Sequence, residues 1–252
     1  VVLAGFVLRL RRGDGTYLNA DEAMIMFAPW QASLSGVLQS MLAHPHGPIP
    51  NLLLHYITVI SSSELVLRMP SILAGALIPY VVYRWGSDVF DKTTGLLAAI
   101  ILAFSPAMIN LSAQLRFYML QMFFMVVSLY SLDRAFRQKS TVWMRRSGLY
   151  MLLAFLCEYI TILMIGACGI YSLIRILRKE LPAKVVREWV ISQVGMALVL
   201  AATYWLHLQR LRGSGGEQFA RDGWLKNSYF HANAQSLAAF LGSATKALFE
   251  YV

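Results

Sequence analysis

The sequence predicts an all-α, polytopic transmembrane helical bundle with a long external loop. Three observations carry this reading. The 252-residue chain is 58% hydrophobic and only 14% charged, more apolar than a soluble domain of this length can bury. Its apolar residues fall in consecutive runs. Its 22 Lys and Arg, against 13 Asp and Glu, gather in short segments between those runs, the positive-inside pattern. The net charge of +9 therefore points to a membrane and away from nucleic acid. Cys157 and Cys168 both lie inside apolar runs and read as small buried hydrophobes, with no disulfide framework or metal site.

Along the chain, residues 1–8 read as the end of a first span and 9–65 as a long loop. Within it, the 23–42 stretch places Met24, Phe27, Leu34, Val37, Leu38, Met41 and Leu42 at near-helical spacing, as in a helix lying on a membrane surface. Residues 49–60 are apolar but too short to cross, which predicts an interfacial or re-entrant helix. Residues 69–85 predict a span with Pro70 in its first turn, where proline is tolerated. Further spans are expected over 95–112 and 118–132, two short ones over 148–177 meeting near Glu158, Tyr159, Ile160 and Thr161, and another over 189–208. Residues 209–234 are polar and form a second external loop, and 234–252 begin another helix. The glycines at 213–216 lack the strand, helix and lysine of a phosphate-binding loop. The chain opens and closes inside apolar stretches, so it reads as a single transmembrane domain, residues 1–252, cut at both ends.

Loop charge sets the expected orientation. Arg134, Arg137, Lys139, Arg145 and Arg146 mark one cytoplasmic loop, and Arg175, Arg178, Lys179, Lys184 and Arg187 another. Counting spans back puts 84–92 inside and both 113–117 and 9–65 outside, provided that 49–60 does not cross. Arg9, Arg11 and Arg12 violate this pattern locally.

The outer side then gathers Asp21, Glu22, His44, His46, Arg68, Gln114, Arg116, Tyr118, Glu158 and Tyr159. A carboxylate can take a proton from an acceptor hydroxyl or amine. An arginine can hold a phosphate through paired hydrogen bonds. Together these are the parts of glycosyl transfer from a lipid phosphate. Each has a plainer reading. Asp21 and Glu22 suit the first turn of a helix. His44 and His46 lack a third metal ligand and suit a solvated loop. Arg68 and Arg116 suit interfacial anchors, and Glu158 a helix end. No Asp-x-Asp occurs, so no metal-bound nucleotide-sugar site and no cofactor are expected, with a divalent metal left open.

Four ordered motifs then resemble a known family. Asn19-Ala20-Asp21-Glu22-Ala23 follows the first span. His46-Gly47-Pro48 leads into Leu52-Leu53-Leu54-His55. Ser63-Glu64-Leu65-Val66-Leu67-Arg68-Met69-Pro70-Ser71 comes next. Last come Phe104-Ser105-Pro106 and Ser112-Ala113-Gln114-Leu115-Arg116-Phe117-Tyr118. This series is similar to the integral-membrane glycosyltransferases of the GT-C fold, in the branch of protein O-mannosyltransferases and lipid A aminoarabinose transferases. Gly47 replaces a Pro of that pattern, Gln114 stands where many relatives carry Glu, and Glu158 precedes Tyr159 where many carry His-Tyr.

The resemblance implies sugar transfer, usually with inversion, from a polyprenyl-phosphate sugar to a lipid, glycan or protein acceptor at the external face, in a bacterial inner membrane. It implies that Asp21 is the catalytic carboxylate, with Glu22 in support. Arg116, Arg68 and His46 then bind the donor phosphate, with Gln114, Tyr118, Glu158 and Tyr159 as further site residues. Rival readings are an outer-leaflet lipid-phosphate hydrolase or phosphotransferase, a transporter, and a non-catalytic lipid-binding paralogue. Internal repeats and midplane polar sites favour a transporter, and the sequence has neither. The sugar and the acceptor are not legible.

Overall fold

A computed structural model describes residues 1–44, 46–212 and 235–250, with 218, 222, 223 and 230 between them. The described residues are helical and contain no strand. They form two compact units, Val1–Thr203 and Tyr204–Val252.

The first unit opens with α1 (Val2–Asp14). Residues 9–14, expected in the loop, continue this helix. The reason is Arg9, which reads as a loop charge but is fully buried and bonded inside the bundle. The expected single helix over 23–42 is instead two, α2 (Ala20–Ile25) and α3 (Leu34–Met41). Pro29 lies between them, and a proline inside a helix removes an N–H and clashes with the preceding turn. Ser33 restarts the helix by accepting from Gly36 N at 3.2 Å. Next comes α4 (Pro48–Ile60), short and apolar as expected, with proline in its first turn.

The 26-residue α5 (Glu64–Val89) begins before the expected span, so Pro70 sits in its interior and not in its first turn. The single span expected over 95–112 bends by 58° between α6 (Lys92–Phe104) and α7 (Pro106–Ser112). Ser105, held extended ahead of a proline, starts α7 by accepting from Met108 N at 3.4 Å.

Two helices, α8 (Tyr118–Gln138) and α9 (Thr141–Cys157), then pack as a pair. A 3₁₀ turn (Tyr159–Thr161) separates α9 from α10 (Ile162–Leu177), which matches the break read at Glu158–Thr161. The unit ends with α11 (Ala183–Thr203).

Among the described residues, three helical segments, Glu64–Val89, Tyr159–Leu177 and Ala183–Leu211, are long and apolar enough to cross a membrane, and the bent α6–α7 pair makes a fourth candidate. α8 and α9 fall outside that group. α8 runs on through Asp133, Arg134 and Arg137, and α9 carries Arg145 and Arg146. Their polar groups pair with neighbouring helices: buried Ser128 Oγ donates to Ser147 O at 2.8 Å, and exposed Arg145 meets buried Glu188 of α11 through two bonds of 2.7 and 2.9 Å. Small residues let helix backbones approach closely. A Cβ on Gly95 of α6 would lie 2.6 Å from Tyr83 O of α5.

The two ends of α5 and α8 differ in chemistry. At the C-terminal ends, Trp85 Nε1 donates to Asp133 at 3.1 Å and Tyr130 OH to Asp88 at 2.9 Å. Arg134 lies over Trp143 at 4.4 Å there. The N-terminal ends hold the residues described next.

In the second unit, a π-helical turn (Tyr204–Leu208) leads into Gln209–Leu211, and a helix spans Leu237–Glu250 within the expected 234–252 stretch. The glycines at 213–216 lie outside the described residues.

Candidate active site

Asp21 and Glu22 sit in the first turn of α2, and their side chains diverge. Asn19 caps the helix through a reciprocal capping box. Its side chain accepts from Glu22 N at 2.9 Å, and Glu22 Oε2 accepts from Asn19 N at 3.0 Å. The Glu22 carboxylate is 1% exposed. Its Oε1 also accepts from Leu115 N at 2.6 Å, and Arg68 Nη2 stands 3.5 Å from Oε2. One buried carboxylate thus ties α2 to the 113–117 turn and to α5.

Asp21 takes no part in the cap. It is 66% exposed and forms an ion pair with Arg116. The Arg116 guanidinium is 29% exposed and lies 5.8 Å from the centre of the Tyr118 ring. The Arg116 backbone is fixed as well, since Ser71 Oγ donates to its carbonyl at 3.2 Å. A carboxylate and a guanidinium therefore meet in solvent on a buried scaffold. Gln114 is half-buried on the same turn.

Arg68 lies elsewhere in this geometry. It is fully buried, and its Nη1 donates to Gly13 O at 3.0 Å and to Thr16 O. Glu64 and Glu22 supply its counter-charges, each at 3.5 Å. The sequence marks Arg68 as a phosphate ligand, whereas its guanidinium faces protein oxygens.

The remaining expected residues meet at the α9–α10 break. His46 Nδ1 stands 3.4 Å from Glu158 Oε1. Gly47 is required here by space. Its φ is an ordinary −65°, but an added Cβ would lie 2.1 Å from Leu156 O and 2.6 Å from Cys157 O. The proline of the resembling pattern carries that Cβ, so this chain needs glycine. His44 sits nearby, and burial followed by the His46 charge holds its pKa below the usual imidazole value. Tyr159 packs against Phe155 at 5.2 Å. Among the described residues, no group of three or more His, Cys, Asp or Glu could hold a metal ion.

Sequence reasoning missed three residues that position the site. Arg9 donates to Leu102 O, Ala103 O and Ser112 Oγ at 3.2, 2.9 and 3.1 Å, which fixes the bend leading to Arg116. Gln121 Nε2 donates to Thr161 Oγ1 at 2.8 Å, joining the first turn of α8 to the Glu158 break. Nothing local in the sequence signals either contact. Asn51, whose Nδ2 donates to Gly47 O at 2.9 Å, shows in the sequence only as a polar residue within the apolar 49–60 run.

No curated protein and no solved structure matches the chain. Residues 44–205, more than half of the sequence, match the family described as dolichyl-phosphate-mannose-protein mannosyltransferase. That match includes His46, Arg68, Gln114, Arg116, Tyr118, Glu158 and Tyr159, and begins after Asp21 and Glu22. The chain belongs to this family of membrane glycosyltransferases, which use polyprenyl-phosphate sugars and are of GT-C type.

Proposed function

We propose that the Asp21–Arg116 end of the bundle transfers a sugar from a polyprenyl-phosphate donor to a lipid, glycan or protein acceptor. The observation that carries this reading is the solvent-accessible ion pair between a carboxylate and a guanidinium. Arg116 receives the donor phosphate, which displaces Asp21 from the guanidinium. The freed carboxylate takes the proton of the acceptor hydroxyl or amine as that group attacks the anomeric carbon. The anomeric C–O bond breaks, and its electron pair leaves with the lipid phosphate beside Arg116. Direct displacement inverts the anomeric centre.

Glu22 and Arg68 act as positioning residues beneath this pair. Tyr118 and Gln114 complete the donor side. We place this end on the external face of a bacterial inner membrane. The distribution of arginines and the branch resemblance support that placement. Mannose, named in the family's description, is the first sugar to test.

The test uses purified protein in detergent with a panel of radiolabelled polyprenyl-phosphate sugars. Asp21→Asn should lower turnover on the order of 100-fold or more. Asn19, not Asp21, is the cap, so folding should survive. Donor binding should tighten in this variant, because Arg116 no longer has a competing carboxylate. Arg116→Lys keeps the charge but loses the planar fork, and should weaken donor binding on the order of tenfold. Near wild-type transfer by Asp21→Asn would eliminate the mechanism. Release of free phosphate without sugar transfer would identify a hydrolase instead.

A further inference from the structure

We infer that His46 and Glu158 form a hydroxyl-recognition subsite beside the transfer centre, an inference that rests on the transferase reading above. Both residues are held by their backbones. Glu158 is extended at the helix break, with φ −148° and ψ 126°. Its N–H donates to Ala154 O at 3.1 Å, and its carbonyl accepts from Thr161 Oγ1 at 2.8 Å. Thr161 Oγ1 also accepts from Gln121 Nε2 at 2.8 Å. On the opposite side, Gly47 lies against the Leu156 and Cys157 carbonyls, and Asn51 fixes the Gly47 carbonyl. A preorganised polar pair of this kind binds without the entropic cost of ordering itself.

The pair is under-satisfied. At 3.4 Å the His46–Glu158 contact is longer than a hydrogen bond between these groups. His46 Nδ1 is buried and makes no hydrogen bond among the described residues. Glu158 is largely buried, while the His46 side chain is 36% exposed and opens the pair to ligand.

Charge selects the ligand class. With His46 protonated the pair is neutral, and with His46 neutral it carries one negative charge. In neither state does it attract an anion, so the phosphate belongs to Arg116 and not to His46. A hydroxyl suits both members. It can donate to the carboxylate and exchange a hydrogen bond with the imidazole.

Shared supports link this pair to the Arg116 turn. Gln121, which braces the break, lies in the first turn of α8, and its N–H donates to Phe117 O at 2.9 Å. Arg116 is the residue before Phe117. Leu54 of α4 also packs in one cluster with Leu115 and Phe117. The hydroxyl can therefore come from the sugar ring or from the acceptor.

The experiment compares wild type, Glu158→Gln and His46→Asn, two near-isosteric variants whose folding is checked by thermal melting. Binding is titrated with polyprenyl-phosphate mannose and with sugar-free polyprenyl phosphate. Transfer is followed to a serine-containing peptide and to water. If the pair reads the sugar, both variants weaken the mannose-bearing lipid on the order of tenfold and leave the sugar-free lipid unchanged. If it reads the acceptor, binding of both lipids is unchanged, the peptide KM rises by a similar factor, and transfer to water is preserved. Equal weakening of both lipids would make the pair a phosphate site and overturn the inference. Unchanged binding and KM in both folded variants would overturn it too. Failure of the transferase reading is separate, since wild type itself would then not transfer sugar to any acceptor.

Discussion

Asp21 and Glu22 are adjacent carboxylates with opposite environments, and the difference comes from helix geometry. The Asn19 cap places Glu22 at the third helical position, where its side chain folds back to the cap and inward to Leu115 and Arg68. Asp21 points outward to Arg116. Glu22→Gln weakens both roles of the buried group. Glutamine has a single acceptor oxygen, so it can take the N–H of Asn19 or of Leu115 but not both, and it removes the negative charge facing Arg68. Buried Arg68 then keeps only Glu64, which is 41% exposed, as its carboxylate partner. Leaving a buried charge poorly compensated costs about 3 kcal/mol or more. The variant should unfold earlier in a denaturant or thermal titration in detergent, while turnover per folded molecule falls far less than in Asp21→Asn. Unchanged stability would show that Glu64 and the Gly13 and Thr16 carbonyls suffice for Arg68.

The bend between α6 and α7 shows how a proline break is stabilised by a residue far away in sequence. In a continuous helix the Leu102 carbonyl would accept from the N–H at position 106, and Pro106 has none. Arg9 Nη2 reaches that carbonyl at 3.2 Å and its Nη1 reaches Ala103 O at 2.9 Å. Gly75 leaves the room, since a Cβ there would lie 2.1 Å from Ser112 Oγ and 3.0 Å from Arg9 Nε. Arg9→Met would strand two carbonyls at about 1–3 kcal/mol each, so roughly 2–6 kcal/mol of stability should be lost. Thermal unfolding measures this, and Arg9→Lys should recover part of it. A wild-type melting curve for Arg9→Met would mean that water supplies the missing donors.

The same elements show what a sequence can disclose. The α9–α10 break was legible because Glu158 interrupts an apolar run at the point where one turn of chain reverses its role. Pro29 was visible too, yet it lay inside a run of helical periodicity that suggested one helix. Arg9 was legible only as a misplaced loop charge, because its partners are carbonyls freed by a distant proline. Arg68 could be flagged as functional from its motif, but its burial against Gly13, Thr16 and Glu22 depends on three other segments.

At the scale of the whole first unit, the division between the two ends of α5 makes a prediction about the membrane. A 26-residue helix reaches about 39 Å, beyond the hydrocarbon core of about 30 Å, so it is long enough to set its ends in opposite interfaces. The N-terminal end carries the Asp21–Arg116 chemistry through Arg68 and Ser71. The C-terminal end carries the Trp85, Asp88 and Asp133 contacts, with Arg134 and Arg146 on the Trp143 ring at 4.4 and 4.6 Å. Aromatic rings and arginines together mark an interface, and an excess of arginine marks the cytoplasmic one. Single cysteines at Gln31 and Gln114 should therefore label together from outside the cell. Cysteines at Lys92 and Arg178 should react only after permeabilisation. The background carries Cys157→Ala and Cys168→Ala, which removes both native thiols. Gln31, Lys92 and Arg178 are exposed and Gln114 is half-buried, so each can be reached by a small maleimide. Opposite labelling of Gln31 and Gln114 would separate the α2–α3 segment from the Arg116 turn across the bilayer. The Glu22–Leu115 bond and the Asp21–Arg116 pair could not then coexist, and the transfer site would have to be sought elsewhere. Joint labelling of both from inside would keep the site intact and reverse its face, so the acceptor would be a cytoplasmic molecule.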